Sequence, residues 1–234
     1  GLTLTAVGGV VQASANSQQP TGKHPMFWNI DETADHGLPR NPWKACVVPR
    51  PIGWITTISD DGEVNLAPYS YFNACGENPP MVMFSGGPRP EGPKKDTVAN
   101  CEAQGEFVCN MSTWALRDAM NQSSAALPAG ADETRFAGLE TEPSTLVRPP
   151  RIKAAPIHIE CVYHQTVVMP HNVREEGNRV VFGRVVGLHI KDEVLTDGFV
   201  DMAKVQPIAR LGYMDYARVD TVFSMDRPVV KAAE

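Results

Sequence analysis

Lys94 and Lys95 stand directly before Asp96-Thr97, where a stretch of helical composition begins. A helix N-terminus presents unpaired N–H groups and the positive end of its dipole, so cations placed there make a site for an anion. Earlier in the chain, Trp54-Ile55-Thr56-Thr57 and Ala67-Pro68-Tyr69-Ser70 end apolar runs in small or hydroxyl residues, and Ser85 ends another. Small side chains let a flat ring approach the backbone. Pro68 marks a strand edge or bulge where ladder pairing stops. On the lysines alone, a solvated loop tip is the plainer reading. Together with the strand ends, they read as a site for a flat, hydrogen-bonding ring joined to a phosphate.

These residues need strands and one helix to hold them. Trp54 to Ser59 and Glu63 to Tyr71 are β-rich, and Asp60-Asp61-Gly62 between them is a turn signal, so the pair reads as a hairpin. Pro79-Pro80 introduces a further strand, Met81 to Ser85, and residues 86–93 read as loop. Asp96 to Gln104 suits a helix with Asp96 or Thr97 as cap and Gly105 after its end. Glu106 to Met111 reads as a strand, Thr113 to Ala126 as a helix, and residues 132–137 as a helical piece in a Pro-rich excursion. Pro156 to Met169 and Asn178 to Ile190 are the longest strand-like runs, with a turn at 174–178. Strands joined mostly by turns favour an antiparallel barrel with peripheral helices over a doubly wound sheet.

Composition narrows the function. The 234 residues carry a net charge of −6, which argues against nucleic acid, whose phosphate backbone wants a basic face. No apolar run approaches the roughly 20 residues of a membrane helix. Five cysteines, an odd number with no C-x-x-C, read as reduced thiols in a cytoplasmic protein. Leu2 to Ala15 is mildly apolar but has no basic leader, so residues 1–30 are expected to be an N-terminal arm or tag and 31–234 the domain. Gly87-x-x-x-x-Gly92 is no phosphate loop, because Pro88, Pro90 and Pro93 lack the N–H donors that such a loop needs. There is no G-x-G-x-x-G, H-E-x-x-H or G-x-S-x-G, and His158-x-Glu160 has no P-C-x-x-C to complete a zinc site, so no metal is expected.

The ligand that these demands describe is flavin mononucleotide (FMN). R-P-I-G-W-I-T-T, N-L-A-P-Y-S-Y-F-N, N-P-P-M-V-M-F-S, K-K-D-T-V-A-N and G-E-F-V-C-N follow one another between residues 50 and 110. P-P-R-I at 149–152, V-F-G-R-V-V-G-L-H-I at 181–190 and A-R-L-G-Y-M-D-Y-A at 209–217 continue the series. In order and spacing this resembles the flavin reductase-like, FMN-binding split-barrel family. The resemblance implies a six-stranded antiparallel split β-barrel, a homodimer, FMN, and NAD(P)H as co-substrate.

Carried over position by position, the ring contacts would be Trp54, Ile55, Thr56, Ala67, Pro68, Tyr69 and Ser70, with Thr57 as a further hydroxyl. The phosphate contacts would be Ser85, Lys94, Lys95, Asp96 and Thr97. His189 and Arg210 would lie near the flavin or nicotinamide; a satisfied strand histidine and a structural ion pair are the plainer readings. Gly76 and Tyr213 depart from the family's usual Ser and Gly. The function implied is hydride or electron transfer from NAD(P)H through flavin to a second acceptor, such as a monooxygenase partner. An FMN-bound electron carrier without NAD(P)H activity, and a binding module for another ligand such as heme, are the alternatives.

Overall fold

The computed structural model describes residues 26–33, 35–88, 95–127, 131–172 and 177–229. It divides into Gly1–Asn41 and Pro42–Glu234. In the first unit, Trp28 donates to the Thr33 carbonyl at 2.8 Å and meets the His36 ring edge-on at 5.0 Å.

The second unit runs α1 (Trp43–Cys46), β1 (Arg50–Pro51), β2 (Gly53–Ile58), β3 (Val64–Tyr69), β4 (Phe72–Glu77), β5 (Pro80–Gly86), α2 (Asp96–Gln104) and β6 (Glu106–Met111). Then come α3 (Arg117–Gln122), α4 (Glu133–Phe136), β7 (Thr141–Glu142), β8 (Arg151–Ile152), β9 (Ile157–Val168) and β10 (Arg179–Ile190). Short pieces finish it: β11 (Leu195–Thr196), β12 (Phe199–Val200), α5 (Met202–Val205), β13 (Ile208–Arg210) and β14 (Tyr216–Arg218). The main sheet is antiparallel, in the order β3-β2-β6-β9-β10-β5-β4, and β1-β13-β14 form a small second sheet.

The main sheet must roll up. Laid flat, seven strands would put its two edges about 29 Å apart, at roughly 4.8 Å per step. Those edges, β3 and β4, are consecutive in sequence, and the three residue steps from Tyr69 to Phe72 span about 11 Å at most. No β3–β4 ladder closes the roll among the described residues, so it stays split. The expectation of six strands is corrected to seven. The strand missed is β4, whose F-N-A-C-G-E is almost wholly exposed and carries an irregular register between Ala74 and Gly76.

Ile55, Phe84, Phe107 and Val181 fill the inside of the roll. Trp54, Leu66, Met120 and Ile152 form a second core on the other face of β2. Gly183 is needed where it is, because a Cβ there would lie 2.2 Å from the Phe107 ring. The hairpin β2–β3 and helix α2 match the sequence reading, with Gly62 and Gly105 at φ 83° and 75°. The helix expected from Thr113 to Ala126 shrinks to α3, because Thr113 bridges to Pro207 and the Trp114 N–H donates to the Gln206 carbonyl.

Candidate functional site

A strand sends successive side chains to opposite faces. In the β2–β3 register Trp54 opposes Pro68, Ile55 opposes Ala67 and Thr57 opposes Asn65. The residues expected to meet one ring therefore divide between two faces of one hairpin. Thr57, Asn65, Ala67 and Tyr69 share the face toward α2 and the inside of the roll. Trp54, Thr56, Leu66 and Pro68 share the other.

On the α2 face a buried polar network forms. Asn65 donates to the hydroxyls of Thr57 (3.2 Å) and Thr97 (2.8 Å), and Asn100 donates to Thr57 at 3.1 Å. Lys95 is the N-cap residue of α2 and provides no side-chain cap, and Asp96 is the first helical residue rather than the expected cap. The Lys95 ammonium lies 5.5 Å from the centre of the Tyr69 ring. Ser85 Oγ accepts from the Asn178 amide at 3.2 Å. The Tyr69 hydroxyl is buried beside Thr97 without a hydrogen bond of good geometry. Burial raises its pKa, so it stays a protonated donor. Lys94 and most of the expected loop at 86–93 lie outside the described residues, as do 174–176 of the expected turn.

The other face is spent on packing near Trp54 and opens beside Pro68. Trp54 is fully buried and its indole N–H donates to Ser123 Oγ at 2.9 Å. Thr56 donates to the Pro150 carbonyl at 2.7 Å and accepts from Asn110 at 3.2 Å. Trp54, Ile55, Thr56 and Thr57, expected as ring contacts, are all fully buried, and the polar side-chain atoms of Trp54, Thr56 and Thr57 are engaged inside the protein. Pro68 faces outward from the sheet edge. Its alternation partner Leu66 turns its N–H away from β2, to the Glu133 carboxylate at 3.0 Å. Proline, lacking that N–H, loses nothing at such a position.

Beside Pro68 and Ser70 lies a cleft of about 330 Å³, also lined by Lys44, Arg50, Met120, Arg210 and Tyr213. Arg50 is 5% exposed, and its guanidinium donates to the carbonyls of Lys44, Val47 (2.6 Å) and Leu211 (2.9 Å). Arg210 donates to the Tyr213 carbonyl at 2.5 Å and to the Tyr216 hydroxyl, with its guanidinium carbon 4.4 Å from the Tyr216 ring centre. A neighbouring cavity of about 360 Å³ shares Arg210 and Tyr216 and is walled by Trp114, which sits near both Arg117 (4.1 Å) and Arg218 (5.1 Å). Neither Lys44 nor Arg50 was singled out by sequence reasoning. The only available signal was the Arg opening R-P-I-G-W, which carries no spacing to Arg210.

His189 lies elsewhere. Its Nε2 is 2.5 Å from Glu160, and it lines neither cavity. Glu160 is fully buried and also accepts the N–H groups of Thr145 (2.7 Å) and Leu146 (2.6 Å). Burial works to raise its carboxyl, but those two N–H groups and His189 outweigh burial and hold it below the ordinary range. His189 and Arg210, both expected near the flavin or nicotinamide, stand apart: Arg210 lines both cavities and His189 neither, and His189 anchors a carboxylate that pins the 145–146 turn. Among the described residues no cluster of His, Cys, Asp and Glu could hold a metal, and no helix is long and apolar enough to cross a membrane.

The chain matches the flavin reductase like domain family over residues 45–215 and belongs to that family. It is 35% identical over 184 residues to an uncharacterized protein of Halalkalibacterium halodurans, covering 79% of this chain and 88% of that protein. Among solved structures, nitrilotriacetate monooxygenase component B from Bacillus cereus superposes with a TM-score of 0.78 at 29% identity, over 87% of this chain and all of that one. The 2-nitrobenzoate 2-nitroreductase of Pseudomonas fluorescens gives 0.70 at 28% identity, over 82% and 91%.

Proposed function

We propose that this chain binds FMN and passes reducing equivalents from NAD(P)H through it to a second acceptor. The observation that carries the reading is the set of donors that meet at the start of α2. Lys95, the α2 N-terminus and the unpaired, protonated Tyr69 hydroxyl gather where β3 ends, and Ser70 opens onto the cleft one residue later. A phosphate is the complement of such donors. In this reading Lys95, Ser85 and the main chain at Thr97 take the phosphate, and the strand end at Ala67 to Ser70 lies along the ring. Flavin supplies the hydride and electron chemistry when bound; the chain's part is to orient it and keep the ring open toward the cleft.

The similarity to a monooxygenase component supports a separate acceptor enzyme as partner, and to a nitroreductase a small aromatic acceptor. A homodimer, read as cytoplasmic, is part of the proposal: Leu188 and Ile190, on one face near the end of β10, are 63% and 39% exposed, an apolar surface that a second copy would cover.

The test is spectroscopic and kinetic. Protein mixed with FMN should show bound flavin, and adding NADH or NADPH should bleach it, with turnover once an acceptor is present. Lys95→Glu should weaken FMN by about 1–3 kcal/mol, the scale of one charged hydrogen bond. Bound flavin that neither nucleotide reduces would leave an electron carrier in place of a reductase. Unchanged FMN affinity in the variant would remove the phosphate site from Lys95.

A further inference from the structure

The cleft beside Pro68 and Ser70 has a charge that its surroundings do not explain. Lys44, Arg50 and Arg210 line it, and no carboxylate does, in a chain whose net charge is −6. Three like charges around one cavity repel each other unless something offsets them. Backbone carbonyls offset part: three of them fix Arg50 and one fixes Arg210. Carbonyl dipoles orient a guanidinium but leave its formal charge in place. One buried nitrogen, Nε of Arg50, has no hydrogen-bond partner. The remaining wall combines apolar and aromatic residues (Ile52, Met120, Tyr213 and Tyr216) with the neutral polar Ser70, Asn121 and Ser124. The volume of about 330 Å³ sits at the small end of ligand clefts, room for one or two rings rather than a whole dinucleotide.

We propose that this cleft is an anion subsite, distinct from the FMN phosphate site, which takes the negatively charged group of a small aromatic second substrate. That the occupant is the second substrate rests on the flavin reading; the subsite itself does not. Lys44 and Arg210 meet the anion, while Arg50 holds the wall by tying the α1 segment to Leu211. A carboxylate and a phosphate share the chemistry required.

Two probes separate these sources. Sodium benzoate and inorganic phosphate are titrated as inhibitors of electron transfer from the FMN-loaded protein, first reduced with dithionite, to a neutral quinone that takes its two electrons, in the parent and in Lys44→Glu and Lys44→Gln. Lys44 is exposed, so both variants should keep the parent's circular dichroism. At least one anion should compete in the parent. Its inhibition constant should rise about tenfold in Lys44→Glu and less in Lys44→Gln, with FMN affinity unmoved. Benzoate alone responding assigns the carboxylate source, and phosphate alone the nucleotide source. The subsite is overturned if neither anion competes in the parent, or if the constants are the same in Lys44→Glu. It is also overturned if Lys44→Glu weakens FMN as much as the anion, since the cleft would then hold the flavin phosphate. If the parent fails to bind FMN, the flavin reading falls, and calorimetric titration of the same anions into the protein still decides the subsite.

Discussion

The two faces of the β2–β3 hairpin solve opposite problems. Toward α2, the side chains of Thr57, Asn65, Thr97 and Asn100 close on one another, and the Lys95 ammonium sits at their rim over the Tyr69 ring. Toward the cleft, Arg50 and Arg210 are held by main-chain carbonyls and an aromatic ring, and their charge stays unneutralised. The first face comes from a few residues on neighbouring elements. The second is assembled from α1, β1, the end of β3, the α3 region and the turn after β13. A face built from side-chain pairs is rigid by itself; one built on carbonyls is only as rigid as the loops that supply them.

Breaking Arg50 tests that difference most directly. Arg50→Met strands three carbonyls and unties α1 from the Leu211 turn, so urea titration should show a loss of about 3 kcal/mol. An effect near zero would mean that the loops hold themselves. Asn65→Ala removes the centre of the α2-face network, which should cost about 1–2 kcal/mol by the same measurement. A loss larger than that of Arg50→Met would reverse the ranking of the two faces. Tyr213→Gly sharpens the comparison with the smallest change. Tyr213 has φ 54°, in the left-handed region that favours glycine. The strain relieved and the backbone entropy added nearly cancel, so stability should move by less than about 1 kcal/mol. The cleft loses one aromatic wall, so KM for bulky acceptors should fall while FMN affinity holds. A large stability loss would show that the Tyr213 ring, not its backbone, supports the turn.

The α2 face was largely legible in the sequence, because its signals are local. Asp60-Asp61-Gly62 fixes a hairpin, and Lys95 to Gly105 carries its own start and stop. What the local reading missed was strand parity: it treated Ala67-Pro68-Tyr69-Ser70 as one patch, although Pro68 and Tyr69 face opposite ways. Thr56 and Thr57 look equivalent as letters, yet one serves the Pro150 segment and the other the α2 network. The cleft was illegible for a different reason. Lys44, Arg50 and Arg210 become neighbours only through β1–β13 pairing, where Arg50 opposes Arg210. That register has no signature in a two-residue strand. Tyr213 did carry a signal, as a departure from the Gly that the resemblance implies there, and its positive φ is the physical reason a Gly would suit the position.

The features that hid β4 from a reading of residue types bear on how the protein behaves in a crowded solution. An outermost strand is a template on which a second chain can grow a ladder and begin to precipitate. Here the template is spoiled at both rims. β4 offers Asn73, Gly76 and Glu77 with a broken register, while β3 offers a proline and has the Leu66 amide already taken by Glu133. Resistance to aggregation and poor strand propensity are, in this sheet, the same property.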